Sequence, residues 1–184
     1  MLRKIEISEL NQLYSKHIKK DFPTNERPPC FIIKKNIENK LQEGFIYREG
    51  NEEFGYAINT LTDEIVLILL FATYSNKRQK GKGTSFLKEL IQYYADKKVL
   101  IVEVEKPEVA QDEKQRIICE KRISFYEKSG FVIHKDIDYS IFGVPMYLMT
   151  YSKDKLDREE VIINIREVYS KTLGKTFQGM LKAQ

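Results

Sequence analysis

The run Ile65-Val66-Leu67-Ile68-Leu69-Leu70-Phe71-Ala72 is apolar at all eight positions and gives way to a polar, basic loop. Eight residues cannot cross a bilayer as a helix, which needs about 20. They suit a central strand, covered on both faces and so without polar alternation. The loop Tyr74-Ser75-Asn76-Lys77-Arg78-Gln79-Lys80-Gly81-Lys82-Gly83-Thr84 follows. Phe86, Leu87, Leu90, Ile91 and Tyr94 then recur at the spacing of one helix face. A buried strand that passes through a glycine-bearing loop into a helix restricts the chain to layered α/β architectures.

The same segment restricts the chemistry. The first N–H groups of a helix have no intrahelical partner, and the helix dipole adds partial positive charge there. Gly81 and Gly83 allow unusual dihedrals and a close approach of ligand to backbone. Lys77, Arg78, Lys80 and Lys82 surround the spot, and no acidic residue occurs between Glu64 and Glu89. A pyrophosphate fits that environment; a solvated basic turn is the competing account of the same residues. Neither Gly-x-x-x-x-Gly-Lys-Ser/Thr nor Gly-x-Gly-x-x-Gly can be written onto the loop.

The rest of the chain supplies a sheet and its covering helices. Leu2 to Ile7 alternates as a short strand, and Ser8 is the expected N-cap of a helix carrying Leu10, Leu13, Tyr14, His17 and Ile18. That helix should stop before Phe22-Pro23. A loop with Pro23, Pro28 and Pro29 precedes a second helix over Ile32 to Gln42, with Gly44 as its C-cap. Phe45–Arg48, Glu53–Thr60 and Ile65–Thr73 form an antiparallel meander. Val99–Val104 is a further strand. Asp112 and Gln115 open a helix to Lys128, Phe131–Tyr139 and Val144–Tyr151 are the last strands, and Asp157 with Glu160 opens a closing helix. That helix presents Val161, Ile165, Val168 and Tyr169, ends near Gly174, and leaves a final ten residues expected to fray.

Composition removes several function classes. The 184 residues include 31 basic and 27 acidic side chains, a net charge of +4, too mild for wholesale nucleic-acid binding. The N-terminus, Met-Leu-Arg-Lys-Ile-Glu, lacks the apolar stretch of a signal peptide. Cys30 and Cys119 stand apart, with neither metal-site nor disulfide-framework spacing. The expectation is a cytoplasmic protein without a metal and without membrane or nucleic-acid partners.

Three segments carry a family resemblance. Arg78-Gln79-Lys80-Gly81-Lys82-Gly83 resembles the Arg/Gln-x-x-Gly-x-Gly/Ala signature of the GCN5-related N-acetyltransferases (GNAT). Val102-Glu103-Val104 resembles the family's fifth-strand "LEV". Phe125-Tyr126-Glu127-Lys128-Ser129-Gly130-Phe131 is similar to its "FYEKxGF" segment. The likeness spans 1–152, so 153–184 is expected to be a C-terminal helical extension that caps a cleft or pairs two subunits in a homodimer.

The resemblance implies a mixed central sheet of about seven strands, splayed between strands 4 and 5 and flanked by helices. It implies acetyl-CoA as acyl donor and a primary amine as acceptor, joined by direct attack in a ternary complex with no covalent enzyme intermediate and no metal. The pantetheine arm would pair with Phe71, Ala72 and Thr73. The pyrophosphate would rest on Gln79, Lys80, Gly81, Lys82, Gly83 and Thr84, with Arg78 alongside. Tyr126 would be the general acid and Glu103 the general base, with Glu105 and Glu26 as rival bases. Glu26, in the proline-rich loop, would line the acceptor cleft. Lys106-Pro107 stands where many members carry Asn. Beside these roles stand plainer ones. Tyr126 would be a packing aromatic, Glu103 a surface or lysine-paired residue, and His17, His134, Cys30 and Cys119 packing residues. A non-catalytic acyl-CoA-binding module is the alternative function.

Overall fold

The computed structural model of the chain describes residues 1–24, 26–77, 81–173 and 181–184. Its strands are β1 (Leu2–Lys4), β2 (Gln42–Glu49), β3 (Glu52–Leu61), β4 (Ile65–Thr73), β5 (Val99–Glu105), β6 (Val132–Ile141), β7 (Val144–Ser152) and β8 (Leu181–Ala183). They follow the sheet order β1-β2-β3-β4-β5-β7-β6-β8. The helices are α1 (Ile7–Leu13), α2 (Lys19–Asp21), α3 (Cys30–Glu38), α4 (Lys82–Tyr93), α5 (Glu113–Glu127) and α6 (Arg158–Leu173). The chain divides into two compact units, Met1–Leu61 with Ile68–Ala95, and Thr62–Leu67 with Asp96–Gln184.

In the first unit, β1, β2 and β3 pair antiparallel. Alternation along β2 sends Ile46 into a cluster with Leu10, Leu13, Ile18 and Ile33 from the N-terminal helices and with Tyr56, Ile58 and Leu70. Its neighbours Phe45 and Tyr47 face the other way, and Tyr47 stacks on Phe86 of α4 at 5.1 Å. The apolar run of β4 is buried at Ile65, Val66, Leu67, Ile68 and Leu70, as a strand covered on both faces should be.

Three local expectations are corrected. Glu6, not Ser8, opens α1: its N–H donates to Glu9 at 3.2 Å, so the box sits two residues earlier. Gly44 is no helix cap. Lys40 takes the left-handed turn after α3 (φ 60°), and Gly44 lies within β2, where a Cβ would meet Ile5 Cδ1 at 2.8 Å and Ile58 Cδ1 at 3.1 Å. Its role is close packing of strand against core. The chain end does not simply fray: β8 pairs with Tyr139–Ile141, and Ala183 is buried. Gly174 falls outside the described residues.

Gly55 on β3 makes a sharper case. A Cβ there would meet the Ala72 carbonyl oxygen at 2.3 Å and the Thr73 Cα at 3.0 Å, both main-chain atoms that cannot swing aside. Gly55→Ala should therefore cost about 1–3 kcal/mol, the usual cost of overpacking. Urea denaturation should show a lowered midpoint, whereas Gly50→Ala, with nothing within 4 Å of its Cβ, should show only the smaller cost of its positive φ.

In the second unit, the parallel ladder of β4 and β5 registers Ile65, Val66 and Leu67 with Val99, Leu100 and Ile101, three pairs only. β5 pairs antiparallel with β7 along its whole length, from Val99↔Ser152 to Glu105↔Met146. The β6–β7 hairpin turns at Phe142-Gly143, both with positive φ (52° and 80°), as a tight two-residue turn requires. Asp112 caps α5 by accepting from the Gln115 N–H at 2.7 Å, while the Gln115 side chain takes the Gln111 N–H instead of closing the box. Asp157 and Glu160 cap α6 reciprocally, at 2.9 and 3.0 Å.

Candidate functional site

The first unit carries the strand end and the helix start that the sequence singles out. After Thr73, the Tyr74 N–H donates to the Phe54 carbonyl at 2.8 Å, and a short turn covers Ser75–Lys77. Arg78, Gln79 and Lys80 lie outside the described residues. Gly81 enters α4 at φ +91°, ψ −16°, a left-handed conformation that an L side chain adopts at a cost. The first α4 ladder bond runs from the Ser85 N–H to the Gly81 carbonyl at 2.9 Å. Lys82, Gly83 and Thr84 are therefore first-turn residues whose N–H groups have no partner within the helix. Gly81 at the N-cap has no side chain to cap them, and the first turn holds no acid. An uncapped helix start of this kind favours an anion.

The cations around it are less free than the sequence suggests. Lys77 is ion-paired with Glu52 and Lys82 with Glu49, acids of the β2–β3 hairpin that lie outside the acid-free interval. Lys82 also sits 4.7 Å from the centroid of the Phe54 ring. Such solvent-exposed pairs are worth little, so an incoming phosphate can replace them. The anion-binding capacity of this end rests on main-chain amides first. Phe71, Ala72 and Thr73 at the end of β4 are partly exposed, and the Phe71 ring stacks on Phe86 at 4.7 Å.

Glu26 lies in the proline-rich loop, partly exposed, with its N–H bonded to the Pro23 carbonyl at 3.1 Å. The loop is pinned beside it. Arg27 donates to the Phe22 carbonyl at 2.9 Å and to the Tyr14 hydroxyl at 2.7 Å. His17 packs its ring on Tyr74, 4.3 Å between centroids.

The second unit carries Tyr126 and Glu103. Tyr126, near the end of α5, is 9% exposed and packs edge-on against Phe125 and Phe131 at 5.1 and 5.4 Å. Its hydroxyl makes no hydrogen bond to a described residue, and burial pushes its pKa up to about 12. Glu103 is half-buried and, among the described residues, pairs with no lysine. Its Oε1 accepts from the Tyr139 hydroxyl and its Oε2 from the Tyr169 hydroxyl at 2.8 Å. Burial pushes its carboxyl above the usual range, and the two phenols pull the other way. The rival Glu105 is tied to α5, accepting from Arg122 at 2.9 Å. His134 is a buried packing residue bonded to Thr150 at 2.8 Å, and burial lowers its pKa. The Cys30 thiol donates to Asn11 at 3.4 Å and the buried Cys119 thiol to Glu105 at 3.8 Å.

Tyr139 and Tyr169 were not among the sequence-derived site residues. The available signal was chemical: a tyrosine on an otherwise aliphatic helix face needs a partner for its hydroxyl. Among the described residues, no group of three or more His, Cys, Asp or Glu is placed to hold a metal ion, and no helix is long and apolar enough to cross a membrane.

No family model matches the chain, and no curated protein does. Solved structures do. A Bacteroides thetaiotaomicron protein described as a GNAT-family acetyltransferase is 23% identical over 95% of this chain and 98% of its own, with a TM-score of 0.77. The dodecameric spermidine N-acetyltransferase of Vibrio cholerae is 13% identical over 87% and 98%, TM-score 0.62. A GNAT-family acetyltransferase from Elizabethkingia anophelis, with acetyl-CoA bound, is 16% identical over 83% and 97%, TM-score 0.56. These likenesses show the fold. The chain has the mixed α/β fold of the GNAT acetyltransferases, here with eight strands because β8 is added to the about seven expected.

Proposed function

We propose that the chain is an N-acetyltransferase of the GNAT superfamily, which moves an acetyl group from acetyl-CoA to a primary amine by direct attack in a ternary complex. The observation that carries this is the left-handed Gly81 leading into an uncapped, acid-free α4 directly after a buried strand, within a GNAT fold. On this reading, main-chain amides from Gln79 to Thr84, with Arg78, hold the diphosphate, and Phe71 to Thr73 hold the pantetheine arm. Residues 1–152 form the acetyltransferase domain and 153–184 its C-terminal extension, in a cytoplasmic protein that needs no metal.

The chemistry asks two things of the side chains. An amine with a pKa of roughly 10 is neutral in only about one molecule in a thousand at pH 7, so a base must take its proton. Glu103 is proposed for that role, because burial strengthens it as a base. The departing thiolate needs a donor, and Tyr126, which stays protonated across the physiological range, is proposed for it. Strand N–H groups are proposed as donors to the tetrahedral oxyanion. Glu26 is proposed to line the acceptor cleft.

Two linked measurements test the proposal. Acetyl-CoA at a thousand times its dissociation constant should stabilise the chain by about 4 kcal/mol, which raises the melting temperature by roughly 8 °C or more. Thiol release should then be scored across spermidine, an amino sugar and a peptide N-terminus. Absence of both heat and saturation in a calorimetric titration with CoA would remove the acyl-CoA reading altogether. Stabilisation without turnover on any amine would leave a binding module.

A further inference from the structure

We propose that Tyr139 of β6 and Tyr169 of α6 are positioning residues that orient the Glu103 carboxylate and stabilise its charge, which makes the C-terminal extension part of the catalytic apparatus. The catalytic meaning rests on the acetyltransferase reading above; the geometry does not. Each carboxylate oxygen accepts one phenolic hydroxyl, Oε1 from Tyr139 and Oε2 from Tyr169. Two donors on opposite oxygens fix the plane of the group as well as its place.

The donors are themselves held. Tyr139 is fully buried and pairs with Ala183 of β8, and Tyr169 is 9% exposed on a helix capped reciprocally by Asp157 and Glu160. Arg166 of α6 donates to the Ala183 carbonyl at 2.8 Å and ties helix to strand. The segment after Ser152 thus supplies one donor and braces the other.

Among the described residues, no cation pairs with Glu103. Arg122 on α5 is engaged by Glu105, and Lys106 pairs with Asp138 at 3.6 Å and lies over the Tyr147 ring. His134 on β6 faces Thr150, and Leu148 of β7 stands opposite Glu103 in the ladder. On its own strand, Glu103 has Val102 and Val104 beside it and Glu105 two residues on, and the β4 residues laddered to β5 are Ile65, Val66 and Leu67. A carboxylate removed from water needs donors or counter-charge to stay ionised. Here the two phenols offset part of that cost, while burial still holds the carboxyl above its usual range.

The test uses the full chain labelled with ¹³C at glutamate carboxyl carbons, with Glu103→Gln to assign the resonance. Tyr169→Phe should raise the Glu103 titration midpoint by about one to two pH units, since a hydrogen bond to a charged group is lost. The acid limb of kcat/KM for thiol release from acetyl-CoA, with the amine from the panel that turns over, should move by the same amount and recover at alkaline pH. Tyr139→Phe should repeat the effect independently, and circular dichroism should report both variants folded. An unmoved Glu103 midpoint in both folded variants would overturn the proposal even in an active enzyme. A moved midpoint with an unmoved acid limb would overturn its catalytic part. Absence of turnover by the parent chain would fell the acetyltransferase reading instead, while the carboxyl shift would survive it.

Discussion

Gly83→Glu should weaken acetyl-CoA binding about a hundredfold or more and leave the chain as stable as before, or more so. Gly83 is the second residue of α4 and partly exposed. Replacing glycine within a helix gains up to about 1 kcal/mol of propensity, and an acid in the first turn adds about 0.3–1 kcal/mol by interaction with the helix dipole. The same carboxylate occupies the amides proposed to hold the diphosphate and repels it. Displacement from the helix start and like-charge repulsion together amount to about 3 kcal/mol or more, which is about a hundredfold in affinity. Calorimetry with acetyl-CoA beside a thermal melt separates the two effects. Retained affinity would disprove the helix start as the diphosphate site. Gly83→Ala, which adds bulk without charge, should lose less.

The opposite signs in that prediction explain why this segment was legible in the sequence. A functional anion site appears as a helix that neglects its own capping, and an apolar strand, two glycines and an acid-free interval are all local features. The strand after α4, the two capping acids Asp112 and Asp157, and the β6 and β7 strands followed from local pattern in the same way. What periodicity could not show was set by contacts distant in sequence. Gly44 looked like a helix terminator because its reason for being glycine is Ile5 and Ile58, on other strands and loops. Lys77 and Lys82 looked unopposed because Glu52 and Glu49 arrive from a hairpin some 25 and 33 residues away.

The Glu103 site was half legible for the same reason. Alternation in Val102-Glu103-Val104 gave the strand, and the resemblance suggested a role, but its environment is built from residues 36 and 66 positions further on. Tyr169 was counted as part of an apolar helix face, which is what its ring is; only its hydroxyl is chemistry. The last strand escaped because three residues, Leu181 to Ala183, are too few for any periodic signal.

Tyr126→Phe should lower kcat about tenfold to a hundredfold, with acetyl-CoA affinity and stability unchanged. The phenyl ring keeps its edge-on packing against Phe125 and Phe131, and the lost hydroxyl bonds to no described residue, so folding has little to lose. The size of the catalytic loss follows from the pKa. A phenol pushed up to about 12 sits roughly three and a half units above a thiol of about 8.5, so complete proton transfer to the departing thiolate is uphill by about 5 kcal/mol. The hydroxyl therefore acts mainly as a hydrogen-bond donor to sulfur as charge develops, and a bond to a charged acceptor is worth about 1.5–3 kcal/mol. That places the effect at the lower end of what general acids contribute, about 10²–10⁴-fold. The pH dependence carries the decisive sign. Activity that requires the protonated phenol is lost only as pH rises through about 12, so the ratio of parent to variant should stay constant from pH 6 to about 10. The acid limb, which belongs to the base, should appear unchanged in both enzymes. A ratio that collapses near pH 8 or 9 would assign the proton to some other group, and equal kcat values would take Tyr126 out of the reaction.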